Sequence, residues 1–261
     1  MPEAVHAIPS QNLVLMRAVI WAVVGMIYAP LFVALHLLFV EFGLAAWAYI
    51  PAAALAGAAG AALYGARQVA IAAGLVGIVV ALGSILVFGH AIALLPLVLL
   101  AFGLGLVVGL TVRFPRLCTQ HVAGKTATGL LTGALCAALL AVLEWLGQIT
   151  ILLSIATAFL VSANGVLYVA TVRQGVRWFG CHDQQSCALK QGLVIGLVAA
   201  LTAASLWVVA GAISGDADSA LTHTLLQVPE AIPPALMAGA MAGAITGSLL
   251  ELFGFRWVHD V

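Results

Sequence analysis

Nine Lys and Arg residues divide a chain of 261 residues that is otherwise almost continuously apolar. Around Arg17, Arg67, Arg113, Arg116, Lys125, Arg173, Arg177, Lys190 and Arg256 lie runs of about twenty residues with little or no charge, the length that crosses a hydrocarbon core of roughly 30 Å. Eight such spans can be cut, at 17–40, 44–66, 68–88, 92–112, 127–147, 149–173, 192–213 and 235–253. With a cytoplasmic N-terminus, eight crossings bring all nine basic residues to the cytoplasmic side. The opposite face receives Glu41, Glu144, Asp216, Asp218 and Glu230 and no Lys or Arg. That is the positive-inside bias. One crossing more or fewer scatters the basic residues over both faces, so number and orientation are expected together.

Charged residues make up only 7% of the chain, against about a quarter in soluble domains, so a soluble protein is excluded. The expected fold class is all-α: one transmembrane domain over 1–261, a compact bundle of eight helices with both termini cytoplasmic. Its expected location is a membrane, the bacterial inner membrane in particular. The lipid bilayer is the first partner, and no nucleic acid is expected. Residues 1–17 carry no basic region before the first apolar run and no small-residue cleavage site follows it, so a retained first helix is expected. Trp21, Trp178 and Trp257 fall at the inner boundary, and Trp47 and Trp145 at the outer, as an aromatic belt.

Small residues four apart recur: Gly57, Ala61 and Gly65; Gly105 and Gly109; Gly129, Gly133 and Ala137; Gly192, Gly196, Ala200 and Ala204; Gly239, Gly243 and Gly247. Such rows let helix backbones approach closely, where dispersion replaces the hydrophobic drive that lipid removes. They predict tight packing, within the chain or against a second copy or membrane partner. The run from Ile50 to Gly57 also resembles that from Ile232 to Gly239, a similarity that shared Ala/Gly-rich composition explains first and internal duplication second.

The span 149–173 is the most informative one. Ser154, Thr157, Asn164 and Tyr168 recur at helical spacing with Val161 between them, and Asn164 falls near mid-depth. A carboxamide there needs a partner on another helix or in water, because hydrocarbon offers none. Pro30 frees the carbonyl of Met26 near the centre of the first span. Asn164-Gly165 is expected to interrupt the sixth span at similar depth, and Thr202 and Ser205 lie midway along the seventh. Interrupted helices meeting at the midplane are a usual location of a transport site. Pro30, Asn164, Tyr168, Thr202 and Ser205 are therefore the candidate lining of a substrate site. No charged residue reaches this depth, which argues against a buried carboxylate relay.

Two further groups carry chemistry. In cytoplasmic connections, Cys118 and His121, with Cys181, His182 and Cys187, offer thiolate and imidazole ligands of the kind zinc prefers. The spacing is not that of paired C-x-x-C knuckles, and reduced thiols at helix ends account for it equally. On the outer face, His36, Glu41, His90, Glu144, Asp216, Asp218, His223 and Glu230 read first as a solvated surface, His36 and Glu144 snorkelling outward. Residues 218–228 form a loop or a short helix on the surface. The run Gly124-Lys125-Thr126 follows no strand and lacks the first glycine of a phosphate-binding loop. No cofactor is firmly implied. The leading functional expectation is a permease or channel-like protein for a small uncharged or weakly charged solute. A non-transporting subunit or assembly factor docked through the small-residue seams is the second. A metal or redox protein, or an enzyme, using the Cys/His group is the third.

Overall fold

A computed structural model describes residues 11–65, 67–89, 93–112, 121–180, 184–214 and 221–254. These residues are helical with no strand: α1 (Gln11–Phe39), α2 (Tyr49–Gly65), α3 (Arg67–Phe88), α4 (Leu94–Thr111), α5 (Val122–Gly147), α6 (Leu153–Phe179), α7 (Gln184–Ser214) and α8 (Leu221–Leu252). Seven helical segments among them are long and apolar enough to cross a membrane. The first, Gln11–Gly65, is 55 residues long and contains both α1 and α2. Straight, it would measure about 80 Å, far more than one crossing. Instead it reverses through a π turn, Val40–Leu44, and a 3-10 turn, Ala45–Ala48, where Gly43 takes φ +83° and Ala45 φ +45°. His36 and Tyr49 stack at 4.4 Å beside the turn, and Trp21 meets Tyr64 at 5.6 Å far from it, so α1 and α2 run antiparallel.

The small-residue rows are spent inside the chain. Gly239 and Gly25 face each other across α8 and α1, where a methyl group on Gly239 would fall 2.6 Å from the Gly25 carbonyl oxygen. Gly243 lies against the Trp21 backbone and Gly247 against Arg17 and Trp21. The pairs Gly57–Gly129 and Ala53–Gly133 close α2 on α5, and Gly105–Gly196 and Gly109–Gly192 close α4 on α7. Backbone contact at these points is how helices associate when lipid offers no hydrophobic drive. Around them Phe32, Leu97, Leu160 and Val208 form a buried centre, while Val79, Leu86, Leu95, Leu135 and Met237 point outward, as a lipid-facing surface requires.

Several boundaries differ from the sequence expectation. α1 continues helically through Pro30, and α6 is unbroken through Asn164-Gly165, so neither marks an interruption. The break in the first segment is at Gly43–Ala45 instead, because a reversal needs backbone with positive φ and a proline does not supply it. α8 starts at Leu221, absorbing most of the stretch expected to be a loop or surface helix, and carries Pro229, Pro233 and Pro234 inside it. Pro229, Glu230, Pro233 and Pro234 are exposed, so the carbonyls of Pro229 and Glu230, which lose their donors to Pro233 and Pro234, are on exposed residues. Trp178, Trp47 and Trp145 are exposed as belt residues would be, but Trp21 is a core residue at 4% exposure. Trp257 lies outside the described residues.

Charge segregates along the bundle. At one end Arg17 of α1 donates to Glu251 of α8 at 3.3 Å and to the Tyr64 hydroxyl of α2 at 3.3 Å. Lys125 packs on Gly65 at this end, and Gly124 on Gly175 and Val176, which brings Arg173 and Arg177 alongside. At the other end Glu144 lies beside Tyr49 and accepts from the Ile151 amide at 3.4 Å.

Candidate functional site

A cavity of ≈40 Å³ lies between α1, α2, α5 and α6. Trp21 and Tyr28 of α1 wall it on one side, Gly57, Gly60 and Tyr64 of α2 and Gly129 of α5 on others, and Val161, Asn164, Gly165 and Tyr168 of α6 opposite. The space exists because glycines occupy the contact positions. At Gly60 a methyl group would find no atom nearer than Tyr28 Cδ2, at 3.9 Å. The Trp21 indole covers Gly165, where a methyl group would fall 2.6 Å from its ring.

Three of the polar groups in this wall lack partners. Trp21 Nε1, the Tyr28 hydroxyl and the Tyr168 hydroxyl are buried with no hydrogen-bond partner among the described residues. Asn164 is 7% exposed; its Oδ1 accepts from the Thr132 hydroxyl of α5 at 2.5 Å, and its Nδ2 lies next to Gly57. Three donor-bearing groups left unpaired in a helix bundle are unusual, since each forgoes on the order of 1–3 kcal/mol. Toward the basic end Tyr64 of the cavity wall accepts from Arg17, which also donates to Glu251. Toward the other end a column of rings follows Tyr28: Phe32 at 5.9 Å, then His36 at 5.8 Å from Phe32.

Of the five residues expected to line a substrate site, Asn164 and Tyr168 are among the residues lining this cavity. Pro30 is half-buried in α1 and is not among the lining residues. Thr202 and Ser205 lie on α7, away from the cavity, and donate to their own helix at the Val198 and Leu201 carbonyls, both at 2.8 Å. Thr157 likewise bonds Leu153, and Ser154 lies on a groove between α6 and α8. The same cavity is lined by Trp21, Tyr28, Tyr64, Gly57 and Gly60, none of them in the expected substrate lining. Their signal was present: Trp21 and Tyr28 are seven apart and so share a face of α1, as Gly57, Gly60 and Tyr64 do on α2.

Only half of the expected metal set of Cys118, His121, Cys181 and Cys187 falls within the described residues. Cys118 and Cys181 lie outside the described residues, His121 is exposed at the start of α5, and Cys187 is a buried free thiol in α7. No group of three or more His, Cys, Asp or Glu side chains that could hold a metal occurs among the described residues. On the opposite face His36 does not snorkel: it is 9% exposed, in mutual ring contact with Phe32 and Tyr49, with Nδ1 unpartnered among the described residues. Comparison with protein-family models, curated proteins and solved structures found no match.

Proposed function

We propose that this chain is a permease or channel-like protein of a bacterial inner membrane, crossing it eight times with both termini cytoplasmic. It moves a small uncharged or weakly charged solute that accepts hydrogen bonds. The observation that carries this reading is the set of buried donors Trp21 Nε1, Tyr28 OH and Tyr168 OH around one cavity, with Asn164 beside them. A solute carbonyl or hydroxyl oxygen would supply the acceptors these groups lack, replacing part of its own hydration shell. At ≈40 Å³ the cavity holds water-sized occupants, so a larger solute requires the helices to part. Breaking the Arg17–Tyr64–Glu251 contacts would open it toward the basic end.

Eight crossings are supported by the antiparallel α1–α2 pair inside the first apolar segment. An even number is supported by the contact between Arg17, early in α1, and Glu251, at the end of α8. The inner-membrane orientation is supported by the basic residues gathered at that same end. A partner subunit would dock on the outer faces, since the glycine seams are occupied within the chain.

The test is stopped-flow light scattering on proteoliposomes with water, glycerol, urea and formamide. Wild-type protein is expected to accelerate re-equilibration of at least one of these over protein-free vesicles. Gly60→Val, which fills the cavity while keeping a monodisperse elution profile, is expected to abolish the increment. Wild-type rates equal to those of empty vesicles for every solute would overturn the reading.

A further inference from the structure

A larger hollow, ≈520 Å³, opens at the basic end of the bundle. His121 and Lys125 of α5 and Arg173, Gln174 and Arg177 of α6 line it, and no acidic side chain is among its described lining residues. Three cationic side chains converging on one concavity with low-dielectric walls create a positive potential that attracts anions. The start of α5 adds to it. His121 stands at the N-cap without a side-chain cap, and a helix N-terminus carries partial positive charge and directed N–H groups.

A second slot adjoins this hollow. It measures ≈220 Å³ and lies between the same two helices, lined by Leu131 and Leu135 of α5 and Leu167, Trp178 and Phe179 of α6. Gln174 borders both spaces, so the cationic hollow and the apolar slot meet there. Trp178, 70% exposed, and Phe179, 39% exposed, sit where the slot ends, at the level aromatic side chains take among lipid headgroups. Charge, apolarity and depth therefore change in the order in which an amphipathic lipid changes.

We propose that the α5–α6 edge binds an anionic phospholipid, its phosphate-bearing headgroup in the basic hollow and one acyl chain in the slot. The arginines meet the phosphate oxygens through charge-assisted hydrogen bonds, which are the stronger kind. A zwitterionic headgroup brings its own ammonium group to the same hollow and gains less. Free phosphate satisfies the same cations and has no use for the slot. The proposal is independent of whether the chain transports a solute.

The experiment titrates the purified full-length protein in mild detergent with phosphatidylglycerol, phosphatidylcholine of the same chains, and inorganic phosphate, read by native mass spectrometry and thermal shift. Phosphatidylglycerol is expected to bind about tenfold more tightly than phosphatidylcholine, with affinity falling as salt rises. R173Q/R177Q is expected to weaken it roughly thirtyfold, from about tenfold or less per surface cation. Leu135→Trp, filling the slot, should weaken phosphatidylglycerol while leaving phosphate unaffected. Equal binding of the two lipids without salt dependence would overturn the proposal. So would phosphate competing fully with the lipid while Leu135→Trp changes nothing, which would mean a free-anion site. If the arginine variant fails to fold, lipid preference and salt dependence of the wild type still decide.

Discussion

Gly57 and Gly60 are three residues apart on α2, yet a side chain at each meets a different environment. At Gly57 a methyl group would strike the Gly129 carbonyl and fall 2.8 Å from Asn164 Nδ2, whereas at Gly60 it meets only Tyr28 Cδ2 at 3.9 Å. Gly57→Ala is therefore expected to cost about 1–3 kcal/mol through overpacking of α2 on α5, read as a lower thermal midpoint in detergent. Gly60→Ala is expected to keep or raise the midpoint, because it removes a flexible residue from a helix and adds no clash. Equal midpoints for the two variants would show that the α2–α5 approach is looser than described. At this scale the inward turn of Asn164 and Tyr168 was legible, because a carboxamide and a phenol at mid-span have few places to go. The hydrogen bonds of Thr202 and Ser205 were not, because a hydroxyl on a helix can satisfy itself on the carbonyl four residues back, which spacing does not reveal.

The elements were legible as apolar runs, and their ends much less so. α7 and α8 begin at Gln184 and Leu221, well before the apolar windows at 192 and 235, because a helix continues into the boundary region where polar residues meet water. The α1–α2 reversal depends on Gly43 and on Ala45, whose φ of +45° puts a Cβ in a region that L-residues avoid. Ala45→Gly is expected to relieve about 1 kcal/mol or more and raise the thermal midpoint. A lower midpoint would mean that the turn is held differently. Pro30 shows why a proline in an apolar run is a poor guide to a break. α1 passes through it, packed along its length against α8 at Gly25–Gly239 and Trp21–Gly243.

Across the whole molecule the ends of the chain are tied together by Arg17 and Glu251, each side chain 10% exposed. Glu251→Leu removes one of the partners of Arg17 and is expected to lower stability by about 1–3 kcal/mol, whereas Arg17→Met with Glu251→Leu should recover part of that loss. Thermal unfolding of the single and double variants measures both, and a single variant as stable as the wild type would remove the tie. Topology has its own check. Single cysteines replacing Lys125 and Lys190, introduced into a chain lacking its four natural cysteines, are expected to react with an impermeant maleimide only from the cytoplasmic side. Labelling from opposite sides would refute eight crossings.

The sequence alone determined the class of the protein: twenty-residue apolar runs can be satisfied only as helices in lipid, and the spacing of nine basic residues gives the orientation to be expected of them. It also determined that the helices pack closely, since glycine four apart serves little else. What the tertiary structure decided is which rows meet. Gly57 faces Gly129 and Gly25 faces Gly239, and those choices turn Trp21 and Tyr28 inward beside Asn164 rather than outward to the interface. Helical periodicity states which residues share a face; only the crossing of a particular neighbour states what that face touches.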